Sequence, residues 1–383
     1  MKPIARVEAM LAGEPVDRPP FCLYPAYNLD WLGGEVLHRA MEAFVERVEP
    51  DVVALPYVYS YSLPANLSLD RLTDLAGIEA VHGRHGDWSH QVDALRSLCG
   101  QYFGKRWVAA VVPSAFKQLE LLVSGELIRE GIEQQSGFLF QALDRLNQSL
   151  CSLIRTAVDQ GAQMVVVEET GASHEWMSPK LYRERLLPGV EAQAEAAGRA
   201  RFVLQLQGRR LFWEELKLQQ PSWGLGWPLA AGPGLVRGAT RWPGFLWGGL
   251  DPTDWSQASS AWLRGGVRQQ LSDFPERPMI LATPGPLGPL RLDQWEALAH
   301  GLRRLPSPER LRETPAEMEE RRAARPPRPA KRREEREAPQ AQWLEAPKPP
   351  KGVRTRLHDK VLPKEPSSSV DADQWPGEDP RRG

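Results

Sequence analysis

The stretch Met164–Leu206 reads MVVVEETGASHEWMSPKLYRERLLPGVEAQAEAAGRARFVLQL, and its two ends decide the fold. MVVVE (Met164–Glu168) and FVLQL (Phe202–Leu206) are short, β-branched and nearly continuous in apolar character, not alternating. Strands of a parallel sheet read this way because helices cover or ring them and leave no watery face. Between the two runs, Ser178-Pro179 supplies an N-cap followed by proline at the first helical position, opening KLYRERLL. The unit is strand, helix, strand, which requires a parallel pairing.

Six further runs of the same character lie on either side. PFCLY (Pro20–Tyr24), VVALPY (Val52–Tyr57) and WVAAVV (Trp107–Val112) precede the unit. SWGLGW (Ser222–Trp227), FLWGGL (Phe245–Leu250) and MILAT (Met279–Thr283) follow it. Helical spacing of apolar residues marks Glu133–Gln160 and Asp293–Leu305, and Leu211–Leu218 reads as a short helix. Gly232-Pro233-Gly234 argues against a regular helix over Ala230–Thr240. Eight strands alternating with helices over about 300 residues predict an α/β fold, a (β/α)8 TIM barrel spanning residues 1–305. No glycine-rich phosphate fingerprint follows the first strand, so a doubly wound sheet is the weaker alternative.

Composition agrees with a large folded body and a tail. The 383 residues are 42% hydrophobic and 25% charged, with a formal net charge of −1, so no global field draws the chain to nucleic acid or an anionic membrane. Fourteen of the 35 prolines follow Leu305, and residues 306–383 carry 18 Lys/Arg against 15 Asp/Glu. RRAARPPRPAKRREEREAPQ is too charged and proline-rich to bury a core, so the reading is a disordered C-terminal tail that could contact a protein partner. A short helix around Glu309–Ala324 is the one element the tail suggests. Cys22, Cys99 and Cys151 are far apart and form no CxxC pair, which excludes zinc-finger and disulfide-scaffold readings. No secretory h-region and no 18-residue apolar run is visible, so a cytoplasmic protein without a membrane span is expected.

Several segments resemble the uroporphyrinogen decarboxylase superfamily: RVEAMLAGEPVDRPPF (Arg6–Phe21), then PSAFKQLELLVSG after strand three, EETGASHEWMSPKLYRERLLP after strand four, and GGLDP at strand seven. The resemblance implies a barrel whose active site lies at the carboxyl ends of the strands. It implies a tetrapyrrole-class ligand and a carboxy-lyase needing no organic cofactor. A non-catalytic tetrapyrrole-binding or scaffold barrel is one alternative, and a cobalamin-related methyltransferase that has lost its zinc site is another. The spacing from Glu169 to Ser178-Pro179 is more like the methyltransferase branch. Oligomeric state is left open, with a homodimer among the options.

The departures from the family are as informative. Where the decarboxylases carry substrate-binding arginines after strand one, this chain reads YPAYNLDWLGG. Their acidic residue after strand two would fall near Val58, their tyrosine near Leu121, and their histidine after strand eight meets TPGPLGP. The zinc-dependent branch uses His-x-Cys-Gly at strand five and a cysteine after strand eight. Here those positions hold Gln205-Leu206-Gln207-Gly208 and Gly285-Pro286, and amides are poor zinc ligands, so no metal and no cofactor are expected.

What polar chemistry remains sits at strand ends. Only one of Glu168 and Glu169 can line the mouth, since adjacent strand residues face opposite ways. The family match favours Glu169, acting as acid/base with His174 in the next loop; the competing reading is a carboxylate bonded to loop amides. Gln205 and Gln207 share a parity and would bind substrate through their amides, or else simply fill the interior. Tyr57, with Tyr59 and Tyr61, and Trp223 with Trp227 could wall the mouth against a flat macrocycle, or serve as core. Asp251 in GGLDP is a substrate-binding candidate that reads more readily as a turn residue. His82, His85 and His90 lack the spacing of a metal site. A polycarboxylate substrate needs cations, which Lys117, Arg209 or Arg210 could supply.

Overall fold

A computed structural model describes residues 1–26, 33–64, 67–213, 216, 220–271, 274–288, 290–313 and 316–317. Its eight strands are β1 (Phe21–Cys22), β2 (Val52–Leu55), β3 (Trp107–Pro113), β4 (Met164–Glu169), β5 (Arg201–Leu206), β6 (Gly224–Gly226), β7 (Phe245–Gly249) and β8 (Met279–Ala282). They form one parallel sheet in the order β1-β8-β7-β6-β5-β4-β3-β2. The Asp51 amide donates to the Phe21 carbonyl at 2.9 Å and links the two edge strands, so the sheet curls into a barrel. All eight strands fall on the runs that the sequence marks.

The helices are α1 (Pro3–Ala12), α2 (Gly34–Val48), α3 (Trp88–Tyr102), α4 (Ala115–Leu122), α5 (Gly125–Glu133) and α6 (Gly137–Asp159), followed by α7 (Pro179–Arg185) and α8 (Leu187–Ala197). The last four are α9 (Leu235–Arg241), α10 (Ser260–Gln270), α11 (Leu292–Arg303) and α12 (Pro308–Leu311). Ser178 caps α7 as its position predicts, its Oγ accepting from the Leu181 amide at 3.2 Å. The helix expected over Glu133–Gln160 is α6, which runs unbroken with its apolar stripe buried and starts four residues late because Gln135 takes a left-handed φ of 49° between α5 and α6. Residues 230–240 do hold a helix: Gly234 sits at the N-cap of α9, so the glycine-proline-glycine run starts the helix. The short helix expected at Leu211–Leu218 falls partly outside the described residues, and Leu211 makes an antiparallel bridge with Ser173.

Two apolar layers follow from strand parity. Cys22, Val52, Ala54, Ala109, Val111, Met164, Val166, Val203, Phe245, Trp247, Ile280 and Ala282 pack inside the barrel. The alternate residues, among them Val53, Val108, Val165, Val167, Leu204 and Leu246, pack outward against the helices. Strand β6 gives up interior side chains to make this fit. A Cβ on Gly224 would lie 2.5 Å from the Phe245 ring, and one on Gly226 2.3 Å from Gln205 Oε1 and 2.4 Å from the Trp247 carbonyl.

The amino-terminal end of the barrel is closed by charge. Asp51, fully buried, accepts from Arg6 Nη1 at 2.5 Å, Arg18 Nη1 at 2.6 Å and the Phe21 amide at 2.9 Å. Arg6 also bonds Asp17 through Nε at 2.6 Å. The Arg6–Phe21 segment that carries the family resemblance is therefore the plug at the end of a barrel where stability, not chemistry, resides. At the other terminus the body runs past Leu305, because Pro308 and Leu311 of α12 are buried. The predicted tail lies, from residue 318 onward, outside the described residues.

Candidate active site

The carboxyl ends of β1, β4 and β5 and the first turn of α4 converge on a small polar cluster. Glu168 ends β4 with the parity of Met164 and Val166, so its side chain enters the barrel, not the helix layer. Its carbonyl accepts from the Ser114 amide at 2.8 Å. Ser114 in turn caps α4, its Oγ accepting from the Lys117 amide at 3.1 Å. Strand end and helix start are thus stitched together, and the geometry sets Lys117 over the mouth. Lys117 Nζ donates to Glu168 Oε2 at 2.5 Å and also to Gln207 Oε1.

Two more groups complete the cluster. Tyr24, two residues beyond β1, donates its hydroxyl to Glu168 Oε1 at 3.0 Å. Its backbone is pinned by the segment after β8, the Leu287 amide donating to the Tyr24 carbonyl at 2.9 Å. Burial, and then the Glu168 charge, push the Tyr24 phenol well above its ordinary pKa, so it remains a donor. Gln207 is fixed by its amide to the Glu169 carbonyl at 2.8 Å and by Nε2 to the Pro284 carbonyl at 3.1 Å. Gly285 leaves room beside it, since a Cβ there would lie 3.0 Å from Gln207 Nε2. Deeper in, Gln205 is fully buried; its Nε2 bonds the Leu206 carbonyl at 2.9 Å, and its Oε1 has no partner.

Several expectations about the site are corrected by this geometry. Glu169 faces the helix layer, where it lines a small cavity with Ser114, Phe116, Asn147, Leu186 and Val190. Its carboxyl is pushed up to about 7 by burial, partly offset by the Gly171 amide and raised further by Glu120. The Tyr182 hydroxyl lies against it without a hydrogen bond of normal geometry. His174 is exposed in the following loop, edge-on to Phe212 at 5.4 Å, while Glu169 is buried. The proposed acid/base pair is therefore not assembled, and Glu168 takes the mouth position.

Tyr57 also belongs to the outer layer, donating to Gln118 Oε1 at 2.5 Å and accepting from Trp88 Nε1 at 2.9 Å. Tyr59, Tyr61, Trp223 and Trp227 pack with the helices and do not wall the mouth. Asp251 accepts from the Thr253 amide at 3.0 Å and from its hydroxyl at 2.5 Å, the turn role that its place before proline suggests. Arg209 and Arg210 are exposed, leaving Lys117 as the cation the sequence offered that reaches the cluster. Tyr24 was legible only as a strand residue. Its role needs β1 and β4 to be placed on opposite sides of one mouth.

The donor set does not fit zinc. At the positions where the resemblance puts metal ligands stand the amides Gln205 and Gln207, and Gln207 Oε1 is already held by the Lys117 ammonium. Among the described residues no group of three His, Cys, Asp or Glu side chains could hold a metal ion.

Fold and site together define a (β/α)8 barrel with an ion-paired centre at the carboxyl ends of its strands. No family model and no curated protein matches the chain, so the resemblance above rests on its own motifs. Among solved structures the chain is similar to a methyltransferase from Methanosarcina mazei, with a TM-score of 0.60 and 17% identity over 79% of this chain and 98% of that one. At that identity the likeness establishes the shared barrel fold. A B12-independent methionine synthase from Shewanella sp. W3-18-1, in complex with selenomethionine, aligns with a TM-score of 0.40 and 11% identity, over 55% of this chain and 65% of that one.

Proposed function

We propose that this protein is a metal-independent methyltransferase whose centre is Lys117, Glu168, Tyr24 and Gln207. The observation that carries the reading is the Lys117 ammonium held between Glu168 and Gln207, beside the strand-five positions where the resemblance places zinc ligands. The neighbour named a methyltransferase, which this chain spans almost entirely, supports the same class.

Lys117 keeps about a fifth of its side chain exposed while Glu168 is buried, so the cation can reach a substrate and the anion cannot leave it. An acceptor entering as a thiol gives its proton to Glu168, and the thiolate is held by Lys117. Its lone pair forms the bond to the methyl carbon, and the donor heteroatom departs with the bonding pair. Tyr24 orients Glu168, and Gln207 orients Lys117.

A second reading is favoured by the same lysine. A carboxy-lyase acting on a tetrapyrrole-class acid needs a cation at the mouth, and Lys117 supplies one. One experiment separates the two: the purified full chain is given a panel of S-, N- and O-methyl donors with free cobalamin or thiols as acceptor, and in parallel uroporphyrinogen. Methylated acceptor supports the proposal, and carboxylate loss from the macrocycle supports the second reading. Neither product would sink both and leave a non-catalytic barrel.

A further inference from the structure

At the amino-terminal end of the barrel, opposite the centre described above, a groove of about 840 Å³ opens between the C-terminus of α3, the α6–β4 turn and the α8–β5 turn. Its size is that of a small-molecule site. The floor is made of small residues, Gly100, Gly161, Ala162 and Ala200. Gly161 has a left-handed φ of 104°, and a Cβ there would stand 3.3 Å from that of Cys99, so the turn hugs the floor closely.

The walls are aromatic and the rim is cationic. Phe103 is 85% exposed, and Trp107 lines the inner side with its indole N–H buried and unpartnered. Arg96, Arg199 and Arg201 line the groove and no carboxylate does, among the described residues. Arg96 shares Asp93 at 3.5 Å. The guanidinium groups of Arg199 and Arg201, both exposed residues, have no hydrogen-bond or ion-pair partner among the described residues. A lone exposed phenylalanine or arginine means nothing. The conjunction is different: two aromatic side chains and two uncommitted guanidinium groups around one concavity select a flat molecule with several negative charges.

We infer that this groove binds a nucleoside polyphosphate or a similarly charged aryl phosphate, its ring against Trp107 and Phe103 and its phosphates on Arg199 and Arg201. The size of the groove favours a small molecule over an acidic peptide, and its position makes it independent of the mouth.

The test is calorimetric titration of the full chain with ATP, with inorganic tripolyphosphate and with adenosine. ATP is expected to bind at least tenfold more tightly than either fragment, because ring and charge contribute separately, and to weaken with added salt. Arg199→Ala with Arg201→Ala should lower ATP affinity at least tenfold. Phe103→Ala should lower ATP affinity but leave that of tripolyphosphate unchanged. All three positions are exposed or partly so, and circular dichroism checks that the variants fold. Lys117→Met should keep the wild-type affinity for ATP. No ATP binding at about 1 mM overturns the proposal. So does equal binding of ATP and tripolyphosphate, unchanged binding by the double arginine variant, or loss of binding in Lys117→Met, which would place the nucleotide in the mouth.

Discussion

Glu168 and Glu169 show at the level of single residues what a sequence conceals. In a strand with one wet face, alternation reveals which neighbour points inward; MVVVEE is buried on both faces and carries no such mark. The barrel pairs Glu168 with a lysine and sets Glu169 among helices, in a cavity whose one cation among the described residues, Arg185, stacks on Phe140 instead. That difference has a pH signature. The Glu169 carboxyl, ordinarily near 4.5, is raised to about 7 in the fold by burial. The folded state then binds the proton more tightly than the unfolded chain, so this group's contribution to stability is full below about pH 4.5 and is lost as pH rises through 7. Urea unfolding at pH 5 and pH 8 should show Glu169→Gln removing a loss on the order of 2–3 kcal/mol from the wild-type pH dependence. An equal dependence in both proteins would show that the carboxyl is not raised. For the mouth pair, Lys117→Met leaves a buried carboxylate unpaired and should cost about 3–5 kcal/mol in chemical denaturation. Lys117→Met with Glu168→Gln should recover much of that, and a double variant no better than the single would mean the pair is not coupled.

Among the elements, the strands were legible in the sequence because β-branched runs bounded by breakers are a local property, and all eight stand where the runs lie. What failed was equally local. Gln135 sets the start of α6 by its own φ, which no apolar spacing reports, and Gly234 starts a helix where the glycines argued for none. Strand β6 was readable as a strand, but the reason for its glycines lies across the barrel in Phe245, Gln205 and Trp247. Gly226→Ala should therefore destabilise by about 1–3 kcal/mol, as overpacking does, since its Cβ meets backbone as well as side chain. A melting temperature unchanged from wild type would show that β6 has slack. The charged plug is the other element with a cost attached. Asp51→Ala leaves Arg18 without its carboxylate and Arg6 with Asp17 alone, and should lose about 3–5 kcal/mol in the same denaturation measurement.

At the scale of the whole molecule, the sequence showed the barrel and located its mouth, while the centre itself needed distances between residues 24, 117, 168 and 207 that only closure of the sheet supplies. The segments most like a known family supply the plug, the capped starts of α4 and α7 and two residues of the centre, Lys117 and Glu168, but not the contacts that join them. Gln207 was found from parity, and Lys117 from the charge a substrate would need. The central claim is that a lysine ammonium, not a metal, is the cation of this centre. It is tested most directly by assaying methyl transfer by the full chain before and after exhaustive chelation, alongside Lys117→Met and with zinc content measured by elemental analysis. The account predicts activity that survives chelation in protein without stoichiometric zinc, and that falls at least a hundredfold in Lys117→Met. Activity abolished by the chelator and restored by zinc, with Lys117→Met as active as wild type, would contradict it.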